Sequence, residues 1–100
     1  MSEAIFVTAE LKMSAEKPRE HVVKMIEQFC LDMQSEAGCL HAAATFDEQE
    51  PRRVILWEQY ENRAAIEAHF AMKHTQAFIA SETAELVQFF ETQAYGEESE

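Results

Sequence analysis

Between Leu56 and His74 the chain sets Glu58, Tyr60, His69 and His74 among apolar neighbours, in the order Leu56-Trp57-Glu58-Gln59-Tyr60 and Ile66-Glu67-Ala68-His69-Phe70. Polar groups facing an apolar interior are costly unless paired, so such a grouping marks a place where chemistry can occur. The chemistry these types offer is proton transfer. His69 has an unperturbed pKa near neutrality and suits a proton acceptor. Glu58 can orient and stabilise the resulting imidazolium, and Tyr60 can donate a hydrogen bond to an oxygen that gains charge. Each residue also has a plainer reading. A lone histidine on an apolar helix face is often a core residue satisfied by one hydrogen bond, and Glu58 can form a structural salt bridge to Arg53 or Arg63.

Positioning these groups requires strands and helices in a definite order. Ile5 to Leu11 alternates with period two and reads as a first strand. Pro18 suits the start of a helix in which Val22, Met25, Ile26, Phe29, Cys30 and Met33 recur at three- and four-residue spacing. That helix is expected to run to about Ala37, with Gly38 as a left-handed stop. Cys39 to Phe46 reads as a second strand, Asp47-Glu48-Gln49-Glu50-Pro51 as a turn, and Arg53 to Tyr60 as a third strand closing a hairpin. The third strand has Val54, Leu56, Glu58 and Tyr60 on one face and Arg53, Ile55, Trp57 and Gln59 on the other, so both faces are expected to be covered.

Asn62 is a suitable cap for a helix from Arg63 to about Met72, with Ile66, His69 and Phe70 sharing an inward face. His74 lies five residues after His69, roughly 140° round a continuous helix, and can join it only if the helix breaks. A shorter helical segment from Thr75 carries Phe78 and Ile79, and Leu86 to Tyr95 reads as the last strand. The fold class is therefore α+β, a ferredoxin-like βαββαβ unit with an antiparallel four-stranded sheet. It is expected to occupy residues 1–95 as one domain, followed by an acidic, disordered tail at 96–100.

Composition narrows the partners. A 100-residue chain buries only roughly two thirds of its unfolded surface, and a second copy packing sheet on sheet would complete its core. A homodimer is expected, with Trp57 in its interface. The hydrophobic share of 47% argues for a folded chain despite a net charge of −11, a field that repels nucleic acid and anionic lipid. Met1-Ser2-Glu3-Ala4 has no basic lead into an apolar run, and no stretch is long enough to span a bilayer, so a cytoplasmic protein without membrane contact is expected. Cys30 and Cys39 read as buried thiols in a reducing compartment, and Met13, Met25, Met33 and Met72 as core filler. A zinc site can be drawn from His41, Glu58, His69 and His74, but the short, fixed ligand spacing of known sites is absent, and no metal is expected.

The stretch from about Ile5 to Tyr95 resembles the antibiotic biosynthesis monooxygenase family of dimeric α+β barrels. The likeness rests on Glu36-Ala37-Gly38-Cys39 closing the first helix, the acidic turn Asp47-Glu48-Gln49-Glu50-Pro51, and the block from Trp57-Glu58-Gln59-Tyr60 through Ala68-His69 to His74, taken in order. The resemblance implies a homodimeric α/β barrel with a pocket between sheet and helices in each subunit. It also implies a small organic substrate such as a polycyclic phenol, an anthrone or a quinol, oxidised by molecular oxygen without flavin, haem or metal. His69, Glu58 and Tyr60 would then be catalytic, with His74, Ile66, Phe70 and Phe78 lining the substrate, and no cofactor. Other branches of the family isomerise a phosphorylated signalling sugar or degrade haem. An axial histidine of the haem branch would fall near Phe78 and Ile79, which cannot ligate iron, and the first strand offers Thr8 and Glu10 in place of that branch's asparagine. An isomerase using the same groups, and a non-enzymatic dimeric small-molecule binder, are the alternatives.

Overall fold

Pro18, at φ −56° and ψ 138°, holds the chain extended at the point where its missing amide hydrogen costs nothing, and a helix follows at once. In the computed structural model, which describes residues 3–94, the order is β1 (Ile5–Met13), α1 (Arg19–Gln34), β2 (Cys39–Phe46), β3 (Arg53–Tyr60), α2 (Arg63–Ala71), α3 (Lys73–Ala80) and β4 (Ala84–Thr92). The sheet runs β2-β3-β1-β4 with antiparallel pairing throughout, the ferredoxin-like arrangement, and it is not closed on itself. The last strand, expected at Leu86–Tyr95, starts two residues earlier and ends at Thr92, before Gln93 and Ala94; Tyr95 lies outside the described residues, as does the acidic stretch 96–100. No helix among the described residues is long and apolar enough to cross a membrane.

One face of the sheet is covered. Val22, Ile26, Phe29, Cys30 and Met33 form the buried stripe of α1. They pack on Ala9, Leu11 and Met13 of β1, Ala42 of β2, and Val54 and Leu56 of β3. Val22, Ile26 and Met33 have no exposed surface, and burying each stabilises the fold by roughly 1.5–3 kcal/mol. The opposite face, expected to be covered as well, is open in a single chain because all three helices belong to the first face. Trp57 there stays 46% exposed, although its indole N–H donates to Thr45 Oγ1 at 2.8 Å.

Two local features differ from the sequence pattern. Helix α1 stops at Gln34, where the Ser35 hydroxyl donates to the Asp32 carbonyl at 2.6 Å, before the expected end at Ala37. Gly38 is not in the left-handed region; its small size is what the fold uses. A Cβ there would lie 2.4 Å from the Ala65 Cβ in the first turn of α2, while the Gly38 carbonyl accepts from the Glu61 amide at 2.9 Å. The 35–38 turn thus sits directly against α2. Gly38→Ala is expected to cost about 1–3 kcal/mol in urea unfolding, and distinctly less when it is introduced into an Ala65→Gly background. An equal cost of Gly38→Ala in the parent and in the Ala65→Gly background would show that contact with Ala65 is not the cause.

Helix α2 starts where expected, with Asn62 Oδ1 accepting from the Ala65 amide at 2.9 Å. It ends at Met72, whose ψ of 145° is extended, and α3 begins at Lys73, two residues before the expected Thr75. The condition for His74 to join His69 is therefore met.

Candidate active site

Four elements converge on one buried polar cluster. The turn after α1 supplies Glu36, β3 supplies Glu58 and Tyr60, α2 supplies His69, and α3 supplies His74 and Thr75. Glu36 is the centre. Its Oε2 lies 2.9 Å from His69 Nδ1 and 2.5 Å from His74 Nε2, and its Oε1 lies 3.2 Å from His69 Nδ1. An ionised carboxylate only accepts, so His69 Nδ1 and His74 Nε2 carry the protons in these contacts. That tautomer leaves the lone pair of the His69 ring on Nε2, the arrangement a general base requires. The side chains of Glu36 and His69 are 3% and 6% exposed against 23% for His74, which makes His74 the accessible edge of the cluster.

Glu58 behaves differently from expectation. Its partner is neither His69 nor an arginine but Tyr60, whose hydroxyl donates to Glu58 Oε1 at 2.7 Å. Arg53 pairs with Glu10 and Asp47, and Arg63 with Glu91. With its one proton directed at Glu58, Tyr60 has none left for a substrate oxygen in this conformation. Its phenol is pushed well above its usual range, first by burial and then by the Glu58 charge, so it remains a donor. The Tyr60 and His69 rings lie 5.4 Å apart, which joins the two hydrogen-bonded groups into one cluster.

The lining residues divide. Ile66 is buried, while Phe70, expected inward beside it, is 54% exposed because the nine-residue α2 turns only a narrow stripe to the sheet. Phe70 still meets the His69 ring edge at 5.0 Å. Phe78 is half-buried and stacks on Phe29 at 4.1 Å, and Phe29 in turn flanks both imidazoles. A shallow depression of about 290 Å³ is bordered by Phe6, Thr8, His41, Trp57, Gln59 and Glu58, mostly on the open face. Neither His69 nor His74 borders it, whereas the resemblance implied a pocket between sheet and helices; on that side Phe29 stacks on Phe78 and the Tyr60 ring lies beside His69.

Burial pushes the Glu58 carboxyl above its ordinary 4.5, opposed by the Tyr60 hydrogen bond and the nearby His69 and reinforced by Glu36. The native state therefore keeps a proton that the unfolded chain releases near pH 4.5. The stability that Glu58 contributes is full below that value and is lost as pH rises through its raised native pKa. Glu58→Gln keeps an acceptor for Tyr60 and removes the charge. Its stability relative to the parent, from urea unfolding at several pH values, is expected to increase across that window; a constant offset at every pH would contradict this. Burial, then the Glu58 charge, also raises the Cys30 thiol to about 11, and burial raises half-buried Cys39, so neither is a nucleophile at neutral pH.

Glu36 was missed by sequence reasoning, although one signal was available. A carboxylate just past a helix C-terminus, with no basic residue in the last turn, sits against the helix dipole and needs a donor from elsewhere. With His69 and His74 it also forms a three-ligand set whose donor atoms lie within 4.8 Å of one another. The grouping differs from the zinc set drawn from the sequence: Glu36 joins His69 and His74, while His41 and Glu58 lie outside it.

An open antiparallel sheet in the order β2-β3-β1-β4, helices on one face and a carboxylate–imidazole cluster beneath them, defines a ferredoxin-like α+β protein of monooxygenase-like architecture. The family pattern for antibiotic biosynthesis monooxygenase matches residues 4–81, and the chain belongs to that family. It is 33% identical over 70 residues to the uncharacterized protein YjcS of Bacillus subtilis (strain 168), covering 70% of this chain and 67% of that one. A solved structure of protein YJCS superposes with a TM-score of 0.83 at 27% identity, covering 91% of this chain and 98% of the other. A crystal structure of an antibiotic biosynthesis monooxygenase gives 0.77 at 20% identity over 90% of this chain and 97% of the other, a likeness of fold.

Proposed function

We propose that this protein is a cofactor-independent monooxygenase that oxidises a small aromatic or quinol-like substrate with molecular oxygen. The observation that carries the reading is the buried Glu36–His69 contact at 2.9 Å in a chain of this family. His69 Nε2 removes a proton from an activated carbon or phenol, and Glu36 stabilises the imidazolium that forms. The electron-rich anion then reacts with oxygen. For a CH2 centre flanked by aromatic rings, one oxygen atom becomes the new carbonyl, the other leaves as water with the two hydrogens, and the substrate supplies all four electrons. Substrate approaches from the His74 edge, beside exposed Phe70.

The working unit in this reading is a homodimer in the cytoplasm. The exposed Trp57 and Phe90 of the open face, with Leu86, Val87 and Phe89 of β4 all more than half exposed, support sheet-on-sheet pairing that completes the barrel. Light scattering is expected to give twice the chain mass at micromolar concentration, and a monomer would remove the dimer from the proposal. The activity itself is tested by screening quinols and anthrones under air and under nitrogen. Oxygen uptake matched to product is expected. Equal turnover under nitrogen would instead assign an isomerase using the same base, and saturable binding without turnover a binding protein.

A further inference from the structure

We infer that Glu36, His69 and His74 form a binding site for a divalent metal ion of the zinc class. Two imidazole nitrogens and one carboxylate oxygen make up the donor set of three-ligand zinc sites that keep a fourth position open. Imidazole pairs favour zinc over magnesium or calcium, which take oxygen donors. The donors come from three separate elements yet lie within 4.8 Å of one another. Ligands on one tetrahedral zinc sit about 3.3 Å apart, from metal–ligand bonds of about 2.0–2.2 Å. The present spacings of 2.5 and 2.9 Å to Glu36 Oε2 therefore have to open by less than about 1 Å. The His74 edge provides an entry path, and the chain's net charge of −11 draws cations towards it.

Binding moves protons without releasing any from neutral imidazoles. The Nδ1 proton of His69 passes to solvent and one proton is taken up at Nε2, which frees the Nδ1 lone pair for the metal; His74 makes the opposite exchange, from Nε2 to Nδ1. An ion held at Nδ1 thus leaves His69 with no free lone pair. This consequence rests on the proposed role of His69 as base: zinc at the triad would switch proton abstraction off.

The full chain, stripped with chelator and dialysed, is titrated with Zn2+ in a calorimeter and with Co2+ in a spectrophotometer. One equivalent per chain and the visible absorption of tetrahedral Co2+ are expected. Both His74→Ala and His69→Gln should weaken binding by more than the roughly 10–100-fold that a mere hydrogen-bonding neighbour of a ligand contributes. His41→Ala, outside the triad, should bind like the parent, and circular dichroism confirms that each variant is folded. Absence of the cobalt absorption, or unchanged affinity in folded triad variants, overturns the site. Zinc that binds at the triad and leaves oxygen uptake untouched keeps the site and removes His69 as the base, so the two readings fail separately.

Discussion

Replacing His69 by alanine is expected to cut turnover on a confirmed substrate by roughly 10²-fold or more while the protein remains folded. His69 Nδ1 is held by a carboxylate that is itself almost wholly buried, so the ring has one orientation and one basic nitrogen. Water in the vacated space is a far weaker base and has no fixed position. The fold should tolerate the change because Asn62 still caps α2 and buried Ile66 still anchors it. Oxygen uptake at saturating substrate, with circular dichroism as a check on folding, measures the effect. Partial recovery on adding free imidazole would identify the missing function as the base, and near-normal turnover without it would take His69 out of the mechanism.

The second large effect is expected from Glu36→Gln, a change that preserves shape and removes charge. Turnover should fall on the order of 10²-fold, chiefly in kcat, because the imidazolium formed during proton abstraction loses its counter-ion. Geometry adds to the loss. Glu36 Oε2 accepts from both histidines while Oε1 also faces His69 Nδ1, so an amide that satisfies one side presents N–H to N–H on the other. Glu36→Asp keeps the charge at a shorter reach and should recover part of the rate. Equal kinetics in the parent and Glu36→Gln would reduce Glu36 to a structural partner of the two histidines.

Much of this fold could be read from local pattern. Gly38 and the acidic turn at 47–51 bounded Cys39–Phe46, the two-residue period marked Arg53–Tyr60, both at their observed limits, and the apolar stripe from Val22 to Met33 identified the covering face of α1. These signals work because each belongs to one element or its ends. The candidate site needed more than that. Glu36 and His69 are 33 positions apart, and their contact depends on how closely the Gly38 turn approaches α2, which no periodicity encodes. Phe70 shows the opposite failure. Its i+4 spacing from Ile66 is regular, yet a short helix over a sheet has room for a narrower stripe than the spacing allows, and the ring remains outside. Tyr60 likewise appeared free to serve a ligand because its bond to Glu58 joins two residues on the same strand face, a pairing that alternation alone cannot distinguish from two independent side chains.

The interruption at Met72 gives the cluster an unusual dependence on backbone phase. His69 and His74 meet the same oxygen because one residue with φ −68° and ψ 145° resets the rotation that five helical steps would otherwise impose. The pairing of the imidazoles is thus written in one torsion angle, ψ, since the φ is already helical. Were that angle to relax to a helical value, α2 and α3 would fuse into one rod, His74 would turn to another side, and the cluster would come apart with every one of its side chains still present.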